Sequence, residues 1–373
     1  PIYSLNDHEH AFGTQPAMRG VAARWLIQEA EAVDLTGRGG AHVGSWLKLS
    51  SAAKSGSGGT VVVNGAEGEP ASGKDAALLQ LRTHLVLDGA VAAAQCIDAA
   101  EIVIWLHEAA HATRTRVANA LLERRAKGLN EPSMRVLLAP EGYVSGESSS
   151  VIRAVRGGPA LPQFSLDRAR PWGKGPAILV HNAETCARLA LLARTGSRAY
   201  ADSALVTVAE TSAPLQVTRR TVIEVAGPRS IADVVHEATG YAPGAVLLGG
   251  YGGTWISGED AQSLDCDQQS LKDAGLSLGA GVLLALPEGR SVLAEAAAIC
   301  GYMADESARQ CGPCEFGLPA LARQMQRVLS GSNDGKAREL AGLVAGRGAC
   351  RHPDGVARMA LSALALSNGG SRE

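Results

Sequence analysis

The chain has 373 residues, 46% of them hydrophobic and 19% charged, which is typical of a folded globular protein long enough for two or three domains. Its 35 lysines and arginines balance 37 aspartates and glutamates, and this excludes the basic excess of a general nucleic-acid binder. No uncharged apolar run reaches the roughly 18 to 20 residues that cross a bilayer, and the first residues lack the basic end and apolar core of a secretion signal. Seven thinly spread cysteines do not form a disulfide scaffold, and aromatics are few at 4%.

Residues 1–202 alternate helical and strand patterns, which is typical of an α/β unit. Apolar side chains recur at helical spacing over residues 17–33, and a glycine-rich loop follows at 37–44. Three short apolar runs predict buried parallel strands, at residues 60–63, 102–105 and 135–138. We therefore expect an α/β domain over residues 1–202.

The pattern changes after residue 202. Short β-rich runs surround one predicted helix at 231–239, and they lie at residues 204–208, 222–225, 244–248 and 281–285. They predict a small α+β domain over residues 203–290. Residues 291–373 are predicted to be helical to about residue 367, with interruptions near residue 311 and at 346–355.

The glycine-rich loop can bring its backbone close to a ligand, and its free amides can surround a phosphate. The candidate phosphate contacts are Gly37, Arg38, Gly39, Gly40 and Lys48. The loop is not a dinucleotide fingerprint, because His42 stands at the third glycine position, and it is not a Walker loop, because no Gly-Lys-Ser/Thr follows. An ordinary turn is the alternative.

Two polar turns follow directly after predicted strands. They carry Asn64, Glu67 and Glu69 in the first turn and Tyr143, Gly146 and Glu147 in the second. Because α/β sheets bind ligands at the carboxyl ends of their strands, these turns and the glycine-rich loop suggest one crevice. The alternative is that the three glutamates only cap helix N-termini.

Three cysteines lie late in the chain. Cys311-Gly-Pro-Cys314 is a C-x-x-C pair, and Cys350 lies 36 residues further on. Such sets bind metals or iron–sulfur clusters, or perform thiol chemistry. The same tetrapeptide occurs in thioredoxins, but there it follows a strand, whereas here helical segments lie on both sides. The other cysteines are expected to be small core residues or incidental thiols: Cys96, Cys186, Cys266 and Cys300.

In this order and spacing, the motifs resemble the NADH-binding flavoprotein subunit of bacterial respiratory complex I and of related NAD-linked hydrogenases and formate dehydrogenases. The matching segments are GRGGAHVGSWLKL at 37–49, NGAEGEPASGKD at 64–75, EGYVSGESS at 141–149, Trp172-Gly-Lys174 and HNAET at 181–185. The resemblance implies three domains: an α/β FMN-binding domain with a parallel sheet over 1–202, a β-grasp (soluble-ligand-binding) domain over 203–290, and a helical iron–sulfur bundle over 291–373.

The resemblance also implies which residues bind cofactors. The loop glycines, Arg38 and Lys48 would surround the phosphate and ribityl end of FMN. Further positions would line the flavin or nucleotide: Asn64, Glu67, Tyr143, Gly146, Glu147, Asn182 and Thr185. Glu67 and Glu147 are the catalytic candidates. Backbone amides and a lysine suit a phosphate. FMN accepts two electrons from a donor and passes them singly to a cluster.

The chain departs from the family at the cluster motif. Ala308 stands where the family has its first cysteine, which leaves Cys311, Cys314 and Cys350 as expected ligands. They imply a 4Fe–4S cluster with a non-cysteine fourth ligand, or a 3Fe–4S cluster. His352 is the local candidate for that ligand, with a solvated histidine as the alternative, and loss of the cluster is also open. Cys300 lies about three helical turns upstream and is not expected to reach.

The NADH side departs further. The family's aromatic, acidic and basic positions are occupied by Val43, Ser51, Ser148 and Pro162, and Trp46 is the available substitute platform for the adenine. We expect an FMN- and iron–sulfur-dependent oxidoreductase subunit that passes electrons between NADH or another donor and a ferredoxin-like partner. The alternatives are ferredoxin exchange without NAD(H) and a non-catalytic scaffold. The expected location is the cytoplasm, with any membrane contact made through partners.

Overall fold

The computed structural model describes residues 3–164, 172–173 and 175–369. A first sheet contains four parallel strands: β1 (Gly59–Asn64), β2 (Ala99–His107), β3 (Ser133–Ala139) and β4 (Ile178–Asn182). The valines of β1 are fully buried, as expected for a strand covered on both faces. The predicted α/β class is confirmed.

Helices cover both faces of this sheet. They are α1 (Leu5–Phe12), α2 (Val21–Ala32), α3 (Ser45–Ala53), α4 (Lys74–Leu81), α5 (Thr83–Cys96), α6 (His111–Ala126), α7 (Ser148–Val155) and α8 (Ala183–Thr195). A single 3-10 turn, Tyr143–Gly146, precedes α7. The alanine-rich α5 packs against α8, and both helices are buried over most of their length. This packing fixes the N-terminus of α8 beside the end of β4.

The strand order β3-β2-β1-β4 reverses direction at β1. The chain moves outward from β1 through β2 to β3, and β4 then returns to the opposite side of β1. Asn64 at the end of β1 pairs in register with Asn182 at the end of β4. In open parallel sheets, ligands bind outside the carboxyl ends of strands at such a switch point. The crevice is therefore expected between these two strand ends.

The second sheet is mixed and has five strands: β5 (Ser203–Thr211), β6 (Val217–Ala226), β7 (Pro243–Leu248), β8 (Thr254–Ser257) and β9 (Val282–Pro287). Its order is β6-β5-β9-β7-β8, with β5 and β9 parallel and the other pairs antiparallel. Three helices accompany it: α9 (Ile231–Thr239), α10 (Gly258–Ser263) and α11 (Gln268–Asp273). A first and last strand that pair in parallel at the centre give the β-grasp order, as expected.

The remaining chain is helical. It contains α12 (Val292–Asp305), a π turn at Pro313–Gly317, α13 (Leu318–Leu329), α14 (Gly335–Val344) and α15 (His352–Gly369). These helices share one hydrophobic core with one face of the second sheet, where Leu247 and Leu284 meet Ile299 and Met303. The division at residues 202 and 290 therefore remains a proposal. Within the described residues, none of the helices has the length and apolar character that a bilayer span requires.

Candidate functional site

The glycine-rich loop lies on the N-terminus of α8 at the switch point. The backbone amide of Arg38 donates to the hydroxyl of Thr185 at 2.9 Å, which anchors the loop. Gly39 lies against Asn182, and a Cβ built at Gly39 would come within 3.4 Å of the Asn182 Cβ. The loop therefore closes directly over the end of β4.

Unused donors remain at this point. In the described part of the chain, the backbone amides of Gly39 and Gly40 donate to no protein acceptor. The Lys48 ammonium donates only to the carbonyl of Val180, at 3.3 Å, and it has no salt bridge with a described carboxylate. Burial lowers the pKa of Lys48, while the charge of Glu147 acts to raise it. Free amides and an unpaired ammonium suit a phosphate group, so these residues fit the phosphate end of FMN.

Arg38 is directed elsewhere. Its buried guanidinium donates to Asp202 at 2.7 Å, where the first sheet's domain meets β5. The backbone amide of the same residue is used by Thr185. The structure thus brings Gly39, Gly40 and Lys48 to the crevice, whereas Arg38 and Thr185 bond to each other. A phosphate contact from Arg38 remains a prediction.

A buried lysine that sequence analysis did not single out supports the crevice from below. The Lys74 ammonium contacts Asp75 at 2.9 Å, Glu184 at 3.0 Å and the side-chain oxygen of Asn182 at 3.3 Å. Burial works to lower the pKa of Lys74, but Asp75, Glu184 and Glu67 outweigh it and raise that pKa. The Lys-Asp pair at 74–75 was visible in the family motif, but nothing local indicated that it is buried.

Asn182 is occupied by these contacts. Its side-chain oxygen caps α8 by accepting from the backbone amide of Glu184 at 2.9 Å, and its amide nitrogen donates to Asp75. Asn182 can therefore face a flavin through its backbone and Cβ, with its side chain held by protein.

Glu67 caps α4. Its carboxylate accepts from the Ser72 hydroxyl at 2.5 Å and from the backbone amides of Asp75 and Ala76 at 3.1 and 3.0 Å. A carboxylate at a helix N-terminus stabilises the helix through both hydrogen bonds and the helix dipole. This is the capping role that the sequence left open as an alternative, and a catalytic role for Glu67 remains a prediction.

Glu147 caps α7 and also lies between two functional regions. Its Oε2 accepts from the backbone amides of Ser149 and Ser150 at 2.8 and 3.2 Å. The same charge acts to raise the pKa of Lys48 on the crevice side and of Cys350 on the other side. A catalytic role for Glu147 remains a prediction, but its position between Lys48 and Cys350 is a property of the fold.

The turn that carries Glu147 is packed against the end of β1. Asn64 donates its side-chain amide to the carbonyl of Gly146 at 2.7 Å. A Cβ built at Gly146 would lie 2.7 Å from the carbonyl oxygen of Ala66, so only glycine permits this approach. The two polar turns predicted from the sequence are therefore in contact.

Tyr143 is turned toward the helical region. Its backbone amide donates to Glu306 at 2.9 Å, its hydroxyl lies near the carboxyl of Glu69, which helps to raise the pKa of Tyr143, and its ring lies edge-on to His352 with 5.3 Å between centroids. Glu69 is buried and also accepts from the backbone amide of Tyr251 at 3.0 Å. Burial raises the pKa of Glu69 to about 8. Tyr143 thus links the crevice turn to the cysteine region.

The three late cysteines lie close to one another. Cys314 is buried in the π turn, and Cys311 and Cys350 are half-buried. Burial raises the pKa of Cys314 to about 12, and the neighbouring Cys311 and Cys350 thiols add to the effect. Cys300 is fully buried in the hydrophobic core of the helical region, and the expectation that it does not reach the cluster stays a prediction.

Among the residues that the structure describes, no three or more His, Cys, Asp or Glu side chains converge tightly enough to hold a single metal ion. An iron–sulfur cluster spaces its ligands more widely, because each thiolate binds a different iron. Three neighbouring thiols at Cys311, Cys314 and Cys350 therefore fit a cluster better than a single ion.

The positions expected to hold NADH offer little aromatic surface. Val43 is 37% exposed and carries no ring, and Trp46 is half-buried and packs against the hydrophobic core of the first sheet. Sequence analysis missed Phe164, whose side chain is 68% exposed. The backbone amide of its neighbour Gln163 donates to the Ser149 hydroxyl, beside the Glu147 turn. The scarcity of phenylalanine was the available signal, because Phe164 is one of only three in the chain. Lys174, from the Trp172-Gly-Lys174 motif, lies outside the described residues.

Two family models match the chain. The model of the Nuo51 FMN-binding domain matches residues 30–191, and that of the NADH-ubiquinone oxidoreductase-F iron-sulfur binding region matches residues 294–366. Residues 30–191 thus belong to the family of Nuo51 FMN-binding domains, and residues 294–366 to that of NADH-ubiquinone oxidoreductase-F iron-sulfur binding regions. The resemblance expected from the motifs is thereby confirmed, with an FMN-binding region and an iron–sulfur region in the predicted order.

Relatives with similar sequences extend over most of the chain. The F subunit of NADH-quinone oxidoreductase in Rickettsia bellii is 24% identical over 344 residues, which cover 87% of this chain and 82% of the relative. Its counterpart in Rhodobacter capsulatus is 24% identical over 361 residues, which cover 88% and 83%.

The fold is also that of a chain in a solved NAD+-reducing NiFe-hydrogenase. In the air-oxidised state the TM-score is 0.80 at 19% identity, and in the H2-reduced state it is 0.81 at 20% identity. Both matches cover 98% of this chain and 66% of the hydrogenase chain, so the present chain spans just under two thirds of that length.

Proposed function

We propose that this protein binds FMN in the crevice between β1 and β4 and passes electrons between NADH and a partner carrier through a cluster held by Cys311, Cys314 and Cys350. One observation carries the proposal. The turn at residues 143–147 lies near both regions, because the charge of Glu147 acts on the pKa values of Lys48 and Cys350, and the Tyr143 ring lies edge-on to that of His352. This turn therefore connects the proposed FMN crevice with the proposed cluster site.

The residues of the crevice have separate tasks. The amides of Gly39 and Gly40 and the ammonium of Lys48 bind the phosphate. The network of Lys74, Glu184 and Asn182 keeps the floor of the crevice rigid and dry. FMN, when bound, supplies the conversion between two-electron and one-electron transfer. Glu67 and Glu147 orient the two polar turns by capping the helices that follow them.

A second candidate function is electron exchange with a carrier protein in place of NAD(H). It is favoured by the NADH side of the crevice, where Val43, Ser51 and Ser148 supply neither a ring nor a second acid. Against it, Phe164 is an exposed ring beside the Glu147 turn and could stack a base. Donor preference therefore separates the two candidates.

The surface around the thiols favours an acidic partner. Arg309 and Arg347 are exposed, and neither has a salt bridge with a described carboxylate. Phe316, two residues after Cys314, is 74% exposed. An exposed ring and two unpaired guanidinium groups within a few residues of the cysteines suit a small acidic iron–sulfur protein, since charge complementarity accelerates association. We propose such a ferredoxin-like carrier as partner and the cytoplasm as the location, with membrane contact only through partners.

The test is the visible spectrum of the full chain purified without oxygen. We expect an oxidised-flavin band in the blue together with broad iron–sulfur absorbance, and we expect NADH to bleach the flavin band. Bleaching by a reduced ferredoxin but not by NADH would select the second candidate. A colourless protein that takes up neither FMN nor iron and sulfide on reconstitution would leave only a scaffold function.

A further inference from the structure

The cluster proposed above lacks one protein ligand. A 4Fe–4S cluster has four irons that each take a terminal ligand, and Ala308 supplies none. Three thiols are present, at Cys311, Cys314 and Cys350. The fourth iron then takes another side chain near them or a solvent-derived ligand, or the cluster loses that iron.

His352 has the hydrogen-bonding pattern of a metal ligand. It begins α15, and its side chain is only 8% exposed. Its Nε2 lies 2.8 Å from the carbonyl oxygen of Met303. Because a carbonyl can only accept, Nε2 carries the proton and Nδ1 carries the lone pair. Metal-bound histidines typically donate their second ring nitrogen to a carbonyl or carboxylate in this way.

The lone pair of Nδ1 has no other use in the structure. Nδ1 is buried and makes no hydrogen bond with any described group. A buried ring nitrogen without a partner is unfavourable, because it has lost its hydrogen bonds to water and gained none in return. Binding to an iron would remove that cost.

His352 also lies in the right part of the fold. It lies two residues after Cys350, its backbone amide acts to lower the pKa of the Cys350 thiol, and Tyr143, from the crevice turn, packs edge-on against its ring. The imidazole is therefore close in sequence to one of the proposed cluster cysteines and packs against the turn that borders the flavin crevice.

Competing side chains are occupied or less suitable. Glu306 accepts from the backbone amide of Tyr143, and Glu147 accepts from the amides that begin α7. The hydroxyl of Ser307 is buried beside the Cys314 thiol, but it is a neutral alcohol and a poor iron ligand until it loses its proton. Ser307 is the strongest rival.

We infer that Nδ1 of His352 is the fourth protein ligand of the cluster, which then has three cysteines and one histidine. This inference rests on the proposed function, because it requires that a cluster be bound. A neutral imidazole in place of a thiolate makes the site less negative, so it favours the reduced cluster and raises the midpoint potential, as histidine ligation does in other iron–sulfur centres.

The experiment uses the full chain grown with 15N-histidine, purified or reconstituted without oxygen and then reduced. Electron–nuclear double resonance on the reduced cluster should detect the strong 15N coupling of a directly bound imidazole. The coupling should persist in His236→Ala, which removes an exposed histidine of α9. In His352→Cys, the cluster should remain, the nitrogen coupling should vanish and the midpoint potential should fall.

The outcomes are distinguishable. A wild-type protein with no iron or sulfide after reconstitution removes the proposed function and this inference with it. A wild-type 4Fe–4S cluster without histidine coupling overturns the inference alone, and loss of the cluster in Ser307→Ala would then assign the serine. An iron-replete protein that holds only a 3Fe–4S cluster also overturns it. The 15N measurement needs no variant, so a misfolded mutant cannot obscure the result.

Discussion

Replacing Lys48 with methionine should weaken FMN binding without unfolding the protein. The ammonium of Lys48 has one partner among the described residues, a carbonyl at 3.3 Å, so its removal leaves little unsatisfied. If it binds the phosphate, the change removes one charge-assisted hydrogen bond, worth about 1.5–3 kcal/mol. That loss corresponds to a roughly 10- to 150-fold weaker Kd.

The assay is quenching of flavin fluorescence when apoprotein is titrated with FMN. Riboflavin provides the matched control, because it has the same ring and no phosphate. Lys48→Met should leave the affinity for riboflavin within a factor of two while that for FMN falls. An equal loss for both ligands would place Lys48 near the ring, and an unchanged FMN affinity would refute the phosphate site at this loop.

Three further predictions concern the buried Lys74, the buried Glu69 and the late cysteines. Lys74→Met should lower the free energy of unfolding by about 3–5 kcal/mol in urea titrations, because it leaves the buried carboxylate of Asp75 without its ion pair and leaves that of Glu184 with the more distant Arg188 guanidinium at 3.6 Å. A loss under 1 kcal/mol would contradict this. Burial raises the pKa of Glu69 from an ordinary 4.5 to about 8, so between these pH values the folded protein holds a proton that the unfolded chain has lost. The free energy of unfolding should therefore fall as pH rises from about 4.5 to about 8. Glu69→Gln should flatten this dependence of stability on pH, and an unchanged dependence would exclude Glu69 as its source. Cys311→Ser and Cys350→Ser should remove the iron–sulfur absorbance and leave the flavin band, and full iron and sulfide in both variants would show that the ligands are wrongly assigned.

The sequence predicted those strands of the sheets that have a clear local pattern of β-branched, apolar residues. Val61–Val63 are β-branched and fully buried, and the sequence placed β1 there. It did not single out β4, a five-residue strand that ends in the polar pair His181 and Asn182, or the four-residue edge strand β8. Strands this short carry little periodicity, and their position depends on long-range pairing. The crevice could be expected from turns after strands, but its location required the pairing of β4 with β1.

The sequence predicted which residues come together at the candidate site better than it predicted which groups each of them contacts. The motif residues do converge, since Asn64 bonds to Gly146 and Arg38 to Thr185. Sequence could not reveal that Arg38 turns to Asp202, because that contact joins positions 164 residues apart. Nor could it reveal that Tyr143 faces the helical region, which depends on how α12 and α15 pack against the crevice turn.

Several of the motif residues have structural roles as helix caps, so their presence alone does not show that a cofactor is bound. A scaffold without cofactors would still need Glu67, Glu147 and Asn182, because each caps the N-terminus of a helix. It would also need Gly146, where a side chain would strike the neighbouring turn. Their presence therefore supports the fold and does not by itself argue for an active flavin site.

Lys48 is different, because its ammonium is only weakly engaged by the protein and lies where burial disfavours its charge. Keeping a cation there has a cost that no contact in the described structure offsets, and a bound phosphate would offset it. The same reasoning applies to the unpartnered Nδ1 of His352 at the other end of the crevice turn. The fold itself does not need the Lys48 charge or the free Nδ1 of His352, so the behaviour of these two groups distinguishes an electron-transfer protein from a scaffold.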